Sequence, residues 1–180
     1  EVDQIGVMMY ELIRDELKKY TTSVGATFHP SYFAWIQHGF LGKVAAAGPD
    51  GRKQGEALSE CLGSVQGMDK NGPTAILRSV SSFDQTKYSN GTLLNMKFHP
   101  TSLKGVQGNQ KLKAVMQTYF ARGGMEMQLN IIDAETLRNA QKHPEDYKDL
   151  VVRVAGFSAY FVEVFKDCQD DLIKRSEMGL

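Results

Sequence analysis

Ile5, Met8, Met9, Leu12, Ile13, Leu17 and Tyr20 recur at intervals of three and four, with Glu11, Arg14, Asp15, Lys18 and Lys19 on the other face. This spacing predicts an amphipathic helix whose apolar stripe meets a core. The helix opens at residue 1 with no cap or leader, as expected of a chain cut from something longer. Pro30 to Leu41, which includes Tyr32, Phe33, Trp35, Ile36 and Phe40, predicts a second, more buried helix. Residues 48–72 instead string turn signals together: Gly48-Pro49-Asp50-Gly51-Arg52, Gly55, Gly63, Gly67 and Asn71-Gly72-Pro73. So long a structureless passage is expected to be functional or braced by another part of the protein.

Beyond Pro73 the elements become regular. Thr74 to Phe83 predicts a short helix, Asn90-Gly91 a turn, and Thr92 to Phe98 a strand. Asn109 to Ala121 predicts a helix with Leu112, Val115, Met116, Tyr119 and Phe120 on one side, stopped by Gly123-Gly124. Met125, Met127, Leu129 and Ile131 alternate with Glu126, Gln128 and Asn130, the period of a half-polar strand. Asp133 is placed to cap Ala134 to Lys142, and Pro144 to Tyr147 starts another turn of helix. Leu150 to Val154 is a short strand, and a loop around Gly156 leads into a last helix ending near Glu177. Helix and strand alternate throughout this half, so the fold class is α/β.

Composition narrows the function. A 180-residue chain, 42% hydrophobic, buries roughly 70% of its unfolded surface and needs neither disulfide nor metal to hold a core. Lys and Arg balance Asp and Glu at 21 each, without the basic excess of a nucleic-acid binder. Cys61 and Cys168 form no disulfide framework or metal spacing, which points to a reducing, intracellular compartment. No apolar run reaches the length of a membrane span, and the start at Glu1 is no signal peptide.

Familiar catalytic motifs fail in turn. There is no Gly-x-Gly-x-x-Gly, and Val44 follows Gly42-Lys43 where a phosphate loop needs Ser or Thr. His29, His38, His99 and His143 share no metal-ligand spacing, so no metal site is expected. Gly156-Phe157-Ser158-Ala159-Tyr160 begins like a nucleophile elbow but has Tyr160 where a small residue must pack. Asn90-Gly91-Thr92 has a glycosylation spacing and reads as a turn.

What remains is Val152-Arg153-Val154-Ala155-Gly156-Phe157-Ser158-Ala159-Tyr160-Phe161. Taken by itself it is a buried strand, a glycine at a tight turn and a helix. It also resembles the glycyl radical loop of the pyruvate formate-lyase superfamily, whose signature is Arg-Val-x-Gly-[Tyr/Phe] near the C-terminus. The resemblance extends over most of the chain. It takes in Pro49-Asp50-Gly51-Arg52 with Gly55, Gly67 to Ala75, Gly91 to Lys97, Gly123-Gly124 with Gln128 and Asn130, and Pro144 to Tyr147. Ala155 and Phe157-Ser158-Ala159 are more similar to the dehydratase, decarboxylase and C–N lyase branches than to pyruvate formate-lyase. Phe157 stands where that branch usually has Tyr.

The resemblance implies the C-terminal part of a ten-stranded glycyl radical enzyme barrel, with the radical loop between a short strand and the last helix. Residues 1–105 would belong to the barrel and 106–180 to the glycine radical domain. Gly156 would store the radical, supported by Arg153, Val154, Ala155, Phe157, Ser158, Ala159 and Tyr160. The apolar flanks Val152, Val154, Phe157, Tyr160 and Phe161 would shield it from dioxygen, and Arg153 would hold the loop through a buried or snorkelling ion pair. No cofactor would be bound; a radical S-adenosylmethionine activase would install the radical. The partners implied are that activase, an upstream part carrying the thiyl cysteine, and a second copy of the full enzyme in a homodimer, with neither nucleic acid nor membrane. Cys61 and Cys168 do not match the thiyl-forming loop and read as bystanders, which would leave the isolated chain inactive. The setting is the cytoplasm of an anaerobic bacterium, or a microcompartment within it. Two alternatives stand beside this reading: a stand-alone spare part that replaces an oxygen-cleaved C-terminus, and a structural α/β domain whose glycine loop is unused. Proteins of the spare-part type match mainly across the C-terminal end, whereas the match from Asp50 to Lys97 favours the enzyme.

Overall fold

The computed structural model describes residues 1–175 and 177–179. In chain order its elements are α1 (Val2–Leu17), α2 (Gln37–Val44), α3 (Pro73–Val80), β1 (Leu94–Phe98), α4 (Gly105–Ala121) and β2 (Met127–Ile131). α5 (Ala134–Lys142), β3 (Val151–Arg153), β4 (Ser158–Tyr160), α6 (Lys166–Lys174) and β5 (Glu177–Met178) follow. Among the described residues β1 is the middle of a parallel sheet, with β2 on one side and β5 on the other; β3 and β4 form a separate antiparallel hairpin. The α/β class expected from the alternation holds. No described helix is long and apolar enough to cross a membrane.

Local chemistry explains the regular parts. Asp133 caps α5, its Oδ1 accepting from the Thr136 N–H at 2.6 Å, and Pro73 opens α3 where its missing N–H costs nothing. α4 stops at Gly123, whose φ is +91°. No helix or strand spans residues 45–72. Two apolar cores result, one around β1, α3 and α4, the other joining α5, α6 and the β3–β4 hairpin. Two polar side chains inside are well paired. Fully buried Gln85 accepts at Oε1 from the Thr92 hydroxyl (2.8 Å), the Tyr119 hydroxyl (3.0 Å) and the Met125 N–H (3.2 Å), and donates to the Val80 carbonyl (2.8 Å). Lys97, buried in β1, donates to the carbonyls of Leu172 (3.2 Å) and Ile173 (3.1 Å) in the last turn of α6, where a cation also complements the helix dipole. Burial lowers its pKa, and Glu177 at 3.8 Å opposes that shift.

The packing overturns four expectations. α1 turns a different face inward: Val7 and Tyr10 pack on the first core, Tyr10 stacking on Phe83 at 4.0 Å and meeting Tyr32 edge-on at 4.1 Å. Ile5, Met8, Met9, Leu12 and Ile13 are exposed. Only the second half of the expected 30–41 helix forms. Tyr32 is drawn into an extended pairing with 91–93, donating to Gly91 O (3.0 Å) and accepting from Leu93 N (3.2 Å), and Trp35 takes a φ of +53°. β2 is a strand whose polar side is covered too: Met127 and Leu129 pack on the first core, yet Gln128 and Asn130 are buried and only the end, Ile131, is exposed. The C-terminal helix ends at Lys174 rather than near Glu177, which lies in β5 beside β1; Ser176, inside the expected helix, lies outside the described residues.

Candidate functional site

The Gly156 loop is the tip of a hairpin. It does not run directly into the last helix, because Ser158–Tyr160 folds back on Val151–Arg153 as β4. The ladder pairs Val151 with Tyr160, Val152 with Ala159 and Arg153 with Ser158. The Val154 N–H donates to Phe157 O (3.0 Å) across the tip, and the Phe161 N–H to Leu150 O (2.8 Å) closes the base. Val152, Val154, Ala155 and Phe161 are buried and anchor the hairpin in its core.

Gly156 has a φ of +86°, in the left-handed region that L side chains avoid. Space is not the constraint: a Cβ there would lie 3.4 Å from Phe33 and 3.9 Å from Leu93, ordinary contact distances. The expected apolar shield is only half present. Phe157 is half-buried with its ring edge-on to Trp35 at 5.9 Å, but Gly156, Ser158 and Tyr160 are exposed in this chain. Arg153 differs too. No carboxylate lies within ion-pair distance among the described residues, and its guanidinium instead donates to the Ser158 hydroxyl (3.0 Å) across the hairpin.

Residues to which the sequence reading gave no role hold the backbone. Asn130, in β2, accepts from the Arg153 N–H at Oδ1 (2.8 Å) and donates from Nδ2 to the Arg153 carbonyl (2.7 Å). Arg175 donates to the Val154 carbonyl (3.0 Å). That guanidinium is itself fixed by Asp171 (3.0 Å) and Glu60 (3.4 Å). Asp171 reaches on to His38 Nε2 (3.1 Å) and Gln66, and Glu60 accepts from Asn95. Burial would raise the Asp171 pKa, but His38 and Arg175 outweigh it and hold the carboxyl below its usual range. For Glu60 burial wins, and its pKa is raised despite Arg175. The available signal was Gln128 and Asn130 as polar positions in an otherwise apolar strand, and alternation alone does not say which side is buried.

Cys61 and Cys168 stand apart from this arrangement. Cys168 is buried in the second core, while Cys61 takes a φ of +49° and its Sγ accepts from the Ala34 N–H (3.3 Å). Burial pushes both thiols up to about 11. Among the described residues no group of three or more His, Cys, Asp or Glu could hold a metal ion.

The hairpin and its Gly156 lie within the span that comparison with known families singles out. Residues 58–162 match the family described as "Glycine radical". The chain belongs to that family, among dehydratases and decarboxylases. It is 38% identical to (2S)-3-sulfopropanediol dehydratase of Klebsiella oxytoca over 180 residues, covering 98% of this chain and 22% of the relative. It is 42% identical to the 4-hydroxyphenylacetate decarboxylase glycyl radical subunit of Clostridioides difficile over 150 residues, 83% of this chain and 16% of that protein. The B12-independent glycerol dehydratase of Clostridium butyricum superposes with a TM-score of 0.95 at 41% identity, covering 99% of this chain and 23% of that one. The chain thus spans about a fifth of the length of these relatives and corresponds to a C-terminal part of them.

Proposed function

We propose that this chain is the radical-bearing part of a longer glycyl radical enzyme of the dehydratase or lyase type, and that Gly156 stores the radical. The observation that carries the reading is Gly156 itself: within the matched span it sits at φ +86° on the tip of a hairpin. A radical on its α-carbon is stabilised when the flanking amide nitrogen donates and the carbonyl withdraws electron density, which requires a planar centre. A side chain would oppose both that planarity and the backbone conformation.

A radical S-adenosylmethionine activase removes one hydrogen atom from the Gly156 α-carbon. A cysteine thiol on the upstream part then returns a hydrogen atom, restoring glycine and leaving a thiyl that attacks the substrate. Because Gly156 is exposed here, the rest of the longer protein supplies the missing cover. Residues 1–105 complete its barrel and 106–180 form the radical domain, with β1 and β2 joining them in one sheet. Arg153, Val154, Ala155, Phe157, Ser158, Ala159 and Tyr160 support the loop. The complete enzyme acts as a homodimer in the cytoplasm of an anaerobic bacterium or a microcompartment there, and the isolated chain is inactive. Similarity across 98% of this chain supports this reading over a spare-part subunit.

The test is electron paramagnetic resonance on the complete, anaerobically activated enzyme. A doublet from the single remaining α-hydrogen is expected, and none in Gly156→Ala; a doublet persisting in that variant removes Gly156 from the role. In air, activated protein is expected to break at Gly156 and release a C-terminal piece that begins at Phe157, seen by mass spectrometry. Equal cleavage without activation also overturns the reading.

A further inference from the structure

The Asn130 amide is bonded twice to one residue of the hairpin. It both accepts from and donates to the backbone of Arg153, three residues before Gly156. Two bonds in a planar amide fix direction as well as distance, so the end of β3 cannot slide or rotate against β2. The amide is buried, and no water competes for these bonds. The next carbonyl, that of Val154, is held by Arg175, just beyond α6. Among the described residues the tip itself, Ala155 to Phe157, has the Val154–Phe157 backbone bond, and the Arg153 guanidinium reaches the Ser158 hydroxyl just past it. The position of the Gly156 α-carbon is therefore set by where β3 is pinned.

We infer that Asn130 is a positioning residue for the radical: its amide fixes the hairpin on β2 so that the Gly156 α-carbon is presented at one distance and angle to the thiol that must exchange a hydrogen atom with it. The inference rests on Gly156 carrying the radical. Hydrogen-atom transfer is steep in distance and alignment, so a loosened hairpin slows the transfer far more than it affects the radical's intrinsic stability. A residue that merely stabilised the fold would lower radical content and turnover together.

The experiment uses the complete enzyme, activated anaerobically, with radical content counted by electron paramagnetic resonance and turnover measured on the same samples. Asn130→Ala is expected to keep radical content within about twofold of wild type while turnover per radical falls roughly tenfold or more. Asn130→Asp guards against a variant that fails to fold, because it keeps the shape and the acceptor. Its ionised form cannot donate to the Arg153 carbonyl, whereas its protonated form restores both bonds. Turnover per radical in Asn130→Asp, relative to wild type, is therefore expected to rise as pH falls. A ratio unchanged in Asn130→Ala, or a flat relative pH profile in Asn130→Asp, overturns the positioning role even with Gly156→Ala silent. A doublet persisting in Gly156→Ala overturns the underlying reading and this inference with it.

Discussion

Gly156→Ala separates the geometric need for glycine from the chemical one, because the structure gives a magnitude for the first. At φ +86° an alanine is strained in the left-handed region, which costs roughly 1–2 kcal/mol. Packing adds little: the new Cβ would lie 3.4 Å from the exposed ring of Phe33 and 3.9 Å from Leu93. A cost of about 1–2 kcal/mol lowers Tm by roughly 2–8 °C for a chain of this size. Gly108→Ala is the comparison. Its Cβ would fall on the Leu103 backbone, 2.6 Å from the α-carbon, where neither α4 nor the turn before it can yield, so a loss of about 3 kcal/mol or more is expected. Thermal melts of both variants beside wild type, followed by circular dichroism, check the order. If Gly156→Ala falls as far as Gly108→Ala, the loop is packed more tightly than described. If it does not fall at all, the left-handed conformation is wrong.

Two further outcomes follow from the buried polar groups. Glu60 has a raised folded pKa, so the stability it contributes is full below its unfolded value of about 4.3 and is lost as pH rises through the folded value. Asp171 is lowered, so its contribution is present above about 3.9 and is lost as pH falls through the folded value. In melts from about pH 2 to 7.5, Glu60→Gln is expected to flatten the decline towards neutral pH, and Asp171→Asn the decline below about pH 4; slopes identical to wild type would refute the assignment. Gln85→Leu leaves the Thr92 and Tyr119 hydroxyls and the Met125 N–H without their acceptor, and about 2–4 kcal/mol of stability should be lost in urea titration.

Much of the chain could be read in one dimension because it is decided within a few residues. The Asp133 cap, the glycine stop after α4, the Pro73 start of α3 and the turn-rich passage before it all depend on neighbours at most four positions away. Gly156 was also legible, since its loop motif is contiguous. Which face an element buries was not. α1 carries two apolar faces, and the ring stack of Tyr10 on Phe83 chose between them. Alternation marked β2 as a half-polar strand but could not show that its polar side is buried.

The buried polar side of β2 shows what tertiary structure alone decided. The β3–β4 hairpin brings buried backbone groups against β2, and a buried N–H or carbonyl must find a partner. Asn130 supplies one because it is polar and faces inward. Arg175, which holds the neighbouring carbonyl, pairs with Asp171 one turn back in the chain, but Glu60 and His38 reach this cluster from two distant stretches that no local spacing could announce. The sequence by itself determined the family, the candidate glycine Gly156 in its contiguous motif and most of the helices. The fold decided the sign of that glycine's φ and the groups that hold its loop, because both depend on long-range packing rather than on the residues beside it.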